Sequence, residues 1–256
     1  MDLALKGLKA IVTGGSKGIG RAIAQTLAAE GADVAICARD GAGVKQAVAE
    51  MAHATGNATR VIGSAVDVAN GPALQQWTRE VAAELGGLDI VVANVSALSI
   101  GNDLASWQKE FETDLMGTVN LVDAALPFLE QSKAASIIAI SSVSGREIDF
   151  AAGPYGTFKA ALIHYVQGLA YQLAPKGIRA NAVSPGNVYF AGGVWDSIER
   201  NDPELFAQSL ALNPTGRMAR PQEIANAVAF VASPAASFVS GANLVVDGAL
   251  TRGVQL

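Results

Sequence analysis

Short runs of β-branched and apolar residues alternate along the chain with longer stretches in which apolar positions recur every three or four residues. Strands that alternate with crossover helices predict a parallel sheet. The predicted strands are residues 10–13, 34–37, 60–66, 89–92, 136–140, 179–183 and 243–246. Several are apolar at nearly every position, which is typical of strands covered by helices on both faces. The pattern predicts an α/β fold with a doubly wound, seven-stranded parallel sheet of Rossmann type.

Residues 187–220 form a long segment between predicted strands that has no clear strand of its own. Glycine and proline residues interrupt it, and it carries several aromatic residues, among them Tyr189, Phe190 and Trp195. Long connections in α/β domains are often lids over a ligand. We expect residues 1–256 to form one domain in which 187–220 is a substrate-side lid. The alternative is a packed surface excursion.

Composition and charge narrow the classes of function. Half of the residues are apolar, and 18 basic and 23 acidic residues give a net charge of −5 without charged blocks. A nucleic-acid surface is therefore not expected. No apolar run approaches the roughly 20 residues of a membrane span. The single cysteine, Cys37, lies in an apolar strand as a small hydrophobic residue. We expect a soluble, cytoplasmic protein that binds a small molecule and no metal.

A glycine-rich turn with the sequence T-G-G-S-K-G-I-G follows the first predicted strand at Thr13. A strand, a glycine turn and a helix together place free N–H groups and a positive helix dipole where a pyrophosphate can approach closely. Three residues separate Gly14 from Gly18, unlike the common G-x-G-x-x-G spacing. The motif predicts dinucleotide contacts from Gly14, Ser16, Lys17, Gly18, Ile19 and Gly20.

The end of the second predicted strand indicates which nicotinamide cofactor binds. A carboxylate there would accept hydrogen bonds from a ribose 2′-hydroxyl and repel a 2′-phosphate. The strand ends instead in Ala38 and Arg39, and Lys17 adds a second cation. A guanidinium suits a dianionic phosphate. The sequence therefore favours NADP(H). NAD stays open if Arg39 is only a solvated loop residue.

A serine, a tyrosine and a lysine follow the fifth predicted strand. Ser142 ends the strand, Tyr155 comes thirteen residues later, and Lys159 lies one helical turn further on. Residues four apart share a helix face, so the phenol and the ammonium lie together. Reducing a carbonyl needs a proton donor, and a tyrosine with an ordinary pKa of about 10 exchanges protons poorly at neutral pH. A neighbouring ammonium would lower that pKa.

The glycine motif and the serine, tyrosine and lysine spacing resemble those of the short-chain dehydrogenase/reductase family. The resemblance implies that Tyr155 exchanges the proton, that Lys159 assists it and binds the nicotinamide ribose, and that Ser142 orients the substrate oxygen. It also implies cofactor contacts from Asp67, Val68, Asn94, Tyr155, Lys159, Pro185, Gly186 and Val188. Within the family, the pattern is most similar to 3-oxoacyl-thioester reductases and related ketone reductases.

Three positions depart from the family pattern. Asp114 stands where the family has an asparagine that holds a water leading to the lysine. A carboxylate could accept from that water and attract Lys159. We therefore expect Asp114 to be a catalytic residue and the pH dependence of the reaction to be altered. Ser96 replaces a glycine after the fourth strand. Its side chain is expected to leave less space beside the cofactor and to change the local turn. Tyr189 and Phe190 occupy the region of the family's usual threonine.

The residues expected to face the substrate are apolar or aromatic: Phe150, Tyr189, Phe190 and Trp195. Without a cationic clamp, they suit a hydrophobic ketone or acyl group. The sequence predicts an NADPH-dependent reductase that converts such a carbonyl reversibly to a secondary alcohol. An NAD-dependent alcohol dehydrogenase and a catalytically silent dinucleotide-binding protein stay open. The resemblance also implies a homotetramer or dimer, which light scattering that shows a monomer would contradict.

Overall fold

The computed structural model describes residues 2–253 and has a seven-stranded sheet at its centre. The strands are β1 (Lys9–Thr13), β2 (Asp33–Ala38), β3 (Val61–Ala65), β4 (Ile90–Ala93), β5 (Ser136–Ile140), β6 (Arg179–Pro185) and β7 (Asn243–Val246). Their order in the sheet is β3-β2-β1-β4-β5-β6-β7, and each neighbouring pair is parallel. The predicted doubly wound parallel sheet is confirmed.

Helices connect the strands and cover both faces of the sheet. They are α1 (Gly18–Ala29), α2 (Gly41–Ala54), α3 (Gly71–Leu85), α4 (Leu104–Glu110), α5 (Gly117–Leu129), α6 (Pro154–Leu173), α7 (Val194–Asn201), α8 (Pro203–Ala211) and α9 (Pro221–Ala232). A π-helical segment, Phe111–Met116, joins α4 to α5. No helix within residues 2–253 is long and apolar enough to cross a membrane.

The sheet separates two buried apolar layers. Side chains of α1, α2 and α9 pack on one face, and those of α3, α5 and α6 pack on the other. In β1, Ala10 and Val12 point into the first layer and Ile11 into the second, as the twofold period of a strand requires. Cys37 lies in the second layer, where burial raises the pKa of its thiol to about 12. This arrangement explains why the strands are apolar at nearly every position.

The direction of the chain across the sheet reverses at β1. This strand pairs with β2 on one side and with β4 on the other, so successive crossovers leave it in opposite directions. Such a reversal opens a crevice beyond the carboxyl ends of the strands. Gly14, Asn94, Ser141 and Gly186 follow β1, β4, β5 and β6 respectively and therefore gather at this crevice.

The two ends of segment 187–220 are held together beside β6. Val188 and Ala219 form an isolated parallel bridge, and the N–H of Tyr189 donates to the carbonyl of Ala219 over 2.8 Å. Helices α7 and α8 fill the segment between these ends. The segment therefore consists of two helices on a narrow base.

Arg179, at the start of β6, is buried, and its charge is met by carbonyl groups. Its guanidinium donates to the carbonyl oxygens of Val231 (2.7 Å), Ala232 (3.0 Å), Ser233 (3.0 Å) and Val239 (3.2 Å). Three of these carbonyls lie at the end of α9, where the last carbonyls of a helix lack partners and the dipole is negative. The guanidinium thereby ties α9 to the sheet.

Replacing Arg179 with Met should destabilise the protein, because the carbonyl groups at the end of α9 would remain buried without donors. We expect the free energy of unfolding to fall by about 2–4 kcal/mol in urea titrations followed by circular dichroism. Lys176→Met removes an exposed pair with Glu130 and should change the free energy by less than about 1 kcal/mol. Equal small losses in both variants would contradict this account.

Candidate active site

A cleft of about 620 Å³ lies at the carboxyl ends of β1, β4, β5 and β6. Every residue expected to contact the cofactor lines this cleft: Gly14, Ser16, Lys17, Gly18, Ile19, Gly20, Arg39, Asp67, Val68, Asn94, Tyr155, Lys159, Pro185, Gly186 and Val188. Ser142 lines it as well. The structure therefore brings the glycine-rich turn and the serine, tyrosine and lysine group to one site.

Asn94 holds the glycine-rich turn against the end of β4. Its backbone N–H donates to Thr13 Oγ1 and its side-chain Nδ2 donates to the carbonyl of Thr13, each over 3.0 Å. A Cβ atom on Gly20 would lie 2.3 Å from the carbonyl oxygen of Gly14 and 2.4 Å from Asn94 Nδ2. Gly14 itself has a φ of +68°, in the left-handed region that favours glycine. The fold of the turn therefore requires glycine at positions 14 and 20, and its backbone stays open to a phosphate group.

Two cations stand at the glycine-rich end of the cleft. Lys17 and Arg39 are exposed, line the cleft, and form no ion pair with any residue between 2 and 253. The neighbouring carboxylate of Asp40 accepts from the N–H of Ala42 over 3.0 Å and caps α2. The backbone cradle and the two cations fit a phosphorylated dinucleotide.

Tyr155 and Lys159 lie on one face of the first turns of α6. The Nζ atom of Lys159 is 5.6 Å from the centre of the Tyr155 ring. Burial raises the pKa of Tyr155, whereas the charge of Lys159 and a hydrogen bond from Ser142 act to lower it. The three side chains form a group that can exchange a proton with an oxygen atom in the cleft.

Lys159 is only 2 % exposed, and its ammonium is held by two oxygen atoms. Nζ donates to the carbonyl of Ile140 over 3.0 Å and lies 3.0 Å from Asp114 Oδ2. Burial acts to lower the pKa of Lys159, but the charges of Asp114 and Tyr155 outweigh it, so the pKa is raised. Lys159 therefore stays an ammonium in spite of its burial.

Asp114 is fully buried behind Lys159 and does not line the cleft. It belongs to the π-helical segment, a rare geometry that is frequent at functional sites. Its Oδ1 accepts from the N–H of Ala97 over 2.8 Å. The carboxylate expected to act through a shared water is thus in direct contact with the lysine.

Comparisons with known proteins agree with this geometry. A family model described as enoyl-(acyl carrier protein) reductase matches residues 14–251. The chain belongs to the short-chain dehydrogenase/reductase family. It is therefore an oxidoreductase, and the family resemblance of its sequence motifs is confirmed.

Relatives and solved structures of this family cover nearly the whole chain. Isoepoxydon dehydrogenase of Penicillium expansum is 41% identical over 253 residues, which are 98% of this chain and 97% of the relative. The L-sorbose reductase of Gluconobacter frateurii, solved with NADPH and L-sorbose, has a TM-score of 0.89 at 27% identity and covers 99% of this chain and 100% of its own.

A 7α-hydroxysteroid dehydrogenase solved with NADH and 7-oxo glycochenodeoxycholic acid is also similar in structure. It has a TM-score of 0.88 at 30% identity and covers 97% of this chain and 96% of its own. One of these neighbours thus binds NADPH and the other NADH. The similarities support a nicotinamide dinucleotide cofactor for this oxidoreductase.

The residues expected to face the substrate divide into two groups. Phe190 and Trp195 line the cleft. Phe150 does not: its ring is 57% exposed and packs edge to face on Trp195, with ring centres 6.0 Å apart. Tyr189 also lies outside, because neighbouring residues of an extended segment point in opposite directions and Val188 points inward. The Tyr189 hydroxyl donates to Glu199 over 2.6 Å.

Phe190 lies against the glycine-rich turn. A Cβ atom on Gly18 would be 2.5 Å from Phe190 Cζ, and one on Gly193 would be 2.9 Å from the same ring. The aromatic ring therefore packs between a glycine of the turn and a glycine of segment 187–220. Phe190 was expected to face the substrate. Its ring instead lies at the end of the cleft formed by the glycine-rich turn.

The loop after β4, where a changed turn was expected at Ser96, has its left-handed residue two positions later. Leu98 has a φ of +51°, whereas Ser96 has no left-handed backbone. Ser96 Oγ accepts from the N–H of Leu98 over 3.3 Å. Both residues line the cleft, so the β4–α4 loop keeps its place in the site in spite of the glycine replacement.

Glu110 is a buried acid of the site that the sequence motifs do not identify. It ends α4, is fully buried, and accepts from the N–H of Ser99 over 2.5 Å. Burial, and after it the negative charge of Asp114, raise the pKa of Glu110 to about 8. The signal for it was its position four residues before Asp114, on the same face of a helix.

Proposed function

We propose that this oxidoreductase is an NADPH-dependent reductase that converts a hydrophobic ketone, free or as a 3-oxoacyl group, reversibly to a secondary alcohol. The observation that carries the proposal is the position of Tyr155 beside Lys159 and Ser142 in a cleft that also holds the glycine-rich turn. The nicotinamide supplies the hydride when it is bound. The side chains of the cleft bind the substrate and move the proton.

The proton moves between Tyr155 and the substrate oxygen. In the reducing direction, the phenol donates its proton as negative charge develops on the carbonyl oxygen, and Ser142 orients that oxygen with its hydroxyl group. Burial alone would make the resulting tyrosinate too basic, since it raises the pKa of Tyr155. The buried ammonium of Lys159 stabilises the tyrosinate by its charge. In the oxidising direction, the same tyrosinate accepts the proton of the alcohol.

The preference for NADPH is supported by the charges at the glycine-rich end. Lys17 and Arg39 line the cleft and are available to a 2′-phosphate. The neutral Ala38 ends β2, at the position where NAD-binding proteins of this fold have an acidic residue. The carboxylate of Asp40, two residues after Ala38, accepts from the N–H of Ala42 and caps α2. A phosphate here would meet two cations, whereas a ribose hydroxyl would lack its usual carboxylate acceptor.

The substrate end of the cleft supports a hydrophobic carbonyl compound. Leu98 from the β4–α4 loop and Val194 and Trp195 from α7 line it. Sites of this kind bury the apolar part of a ligand and orient its polar group with a few hydrogen bonds. Here Ser142 and Tyr155 are those polar groups.

Replacement of Tyr155 by Phe should lower turnover by about 10²–10⁴-fold, because the proton donor is lost. Dinucleotide affinity should change little. The assay is NADPH oxidation with aryl ketones, 3-oxoesters and 3-oxoacyl thioesters, repeated with NADH, and Tyr165→Phe on α6 serves as the control. Undiminished turnover in Tyr155→Phe would refute the assignment. A wild type that binds the dinucleotide but turns over no carbonyl would favour a silent binding protein.

Replacement of Arg39 by Asp should exchange the cofactor preference. The carboxylate would repel a 2′-phosphate, and the loss of a charge-assisted hydrogen bond predicts a KM for NADPH higher by about 10- to 100-fold. The same carboxylate would accept from the 2′-hydroxyl of NADH. Arg79→Asp makes an equal charge change on the exposed face of α3 and should leave both constants unchanged. A persisting preference for NADPH in Arg39→Asp would favour the NAD-dependent alternative or another phosphate site.

We also propose that segment 187–220 acts as a lid, since Phe190 joins it to the glycine-rich turn. Dinucleotide in the cleft would then order the segment. Limited proteolysis should cut within 187–220 more slowly when NADPH is present, and the variant Phe190→Ala should lose most of this protection. Equal cleavage rates with and without cofactor would instead identify the segment as a packed surface excursion.

A further inference from the structure

Glu110 has one carboxylate oxygen without a donor. Its Oε1 accepts from the N–H of Ser99, whereas Oε2 is buried and meets no hydrogen-bond donor among residues 2–253. Oxygen atoms of an ionised carboxylate need donors when they are removed from water. The surroundings of Glu110 therefore suit a carboxylic acid better than a carboxylate.

The carboxyl group of Asp114 faces Glu110 across one helical turn. Two ionised carboxylates cannot hydrogen-bond to each other, because neither has a proton to donate, and their charges repel. A proton on Glu110 Oε2 removes both difficulties, since it satisfies the buried oxygen and donates to Asp114. A hydrogen bond between the two side chains can therefore form only with one shared proton.

The donors around each group decide which of them holds the proton. Asp114 Oδ2 is also buried without a hydrogen-bond donor, but it lies 3.0 Å from the ammonium of Lys159, and Oδ1 accepts from the N–H of Ala97 over 2.8 Å. The ammonium and the N–H both favour the ionised form of Asp114. Glu110 faces the single N–H of Ser99. The proton therefore belongs on Glu110 and the negative charge on Asp114.

We propose that Glu110 is a positioning residue that holds a proton at neutral pH and donates it in a hydrogen bond to Asp114. The buried pair then presents one negative charge, not two, to Lys159. This rests on the proposed function only in that Lys159 and Tyr155 take part in catalysis.

The charged and titratable groups that face Glu110 come from two elements. Asp114 follows it on the π-helical segment, and Lys159 and Tyr155 lie on α6. The β4–α4 loop packs on the other side through backbone N–H groups and has no charged side chain between residues 94 and 102. With a pKa of about 8, Glu110 loses its proton in mildly alkaline solution.

The second negative charge that then forms acts on the catalytic pair. It raises the pKa of Tyr155 and of Lys159. The phenol consequently keeps its proton to higher pH, which favours proton donation to a carbonyl and delays the tyrosinate needed for alcohol oxidation. Glu110 would in this way set the pH range over which each direction is available.

The protonation state can be tested without substrate or cofactor. Infrared difference spectra of the wild-type protein between pH 6 and 10 should show a carboxylic acid C=O band that disappears around pH 8. Glu110→Gln should lack this band, and Glu80→Gln, which removes an exposed carboxylate on α3, should keep it. A wild type without the band, or a band that persists in Glu110→Gln, would overturn the proposal whatever the enzyme's activity.

The catalytic consequence is tested by the pH dependence of alcohol oxidation. Glu110→Gln cannot form the second charge, while its amide can still donate to Asp114 and accept from Ser99. In alcohol oxidation the rate rises with pH as the tyrosinate forms, and we expect this rise to occur about half a unit lower in Glu110→Gln. Glu80→Gln should keep the wild-type profile. Glu110→Leu, which lacks these hydrogen bonds, serves as a test of structure alone. Profiles identical to wild type in both the Gln and Leu variants, with only thermal stability lowered, would show a merely structural role.

Discussion

The buried ammonium of Lys159 is the charge on which the rest of the site depends. A cation removed from water must be met by oxygen atoms, and the carbonyl of Ile140 at the end of β5 and the carboxylate of Asp114 meet it. Asp114 contacts the lysine from the π-helical segment that precedes α5. Its carboxylate also accepts a hydrogen bond from the N–H of Ala97 in the β4–α4 loop. These contacts link the loop after β4, the end of β5 and the π-helical segment to Lys159 on α6.

The doubly wound topology brings these partners to one edge of the sheet. In a parallel sheet, all strands end at the same edge, and the reversal at β1 leaves a crevice there. The glycine-rich turn after β1 and the serine, tyrosine and lysine group after β5 therefore share a cleft, although some 130 residues separate them along the chain. Asn94, which lies between them, holds the turn to β4.

Sequence reasoning succeeds where the determinant is local. Strands, the glycine-rich turn and the helical spacing of Tyr155 and Lys159 follow from the periodicity of side chains and the conformational freedom of glycine. Aromatic character alone assigned Phe150 and Tyr189 to the substrate, whereas neither residue lines the cleft and their contacts are with Trp195 and Glu199. Glu110 was missed because a glutamate on an amphipathic helix is usually exposed.

By itself, the sequence determined the family, the parallel sheet and the glycine-rich turn that follows its first strand, because each depends on motifs read over a few neighbouring positions. Only the tertiary structure decided that Asp114 touches Lys159 directly and that Glu110 is fully buried. The physical reason is that burial and the direction of a side chain depend on elements distant in sequence. The protonation of an acid follows from that burial.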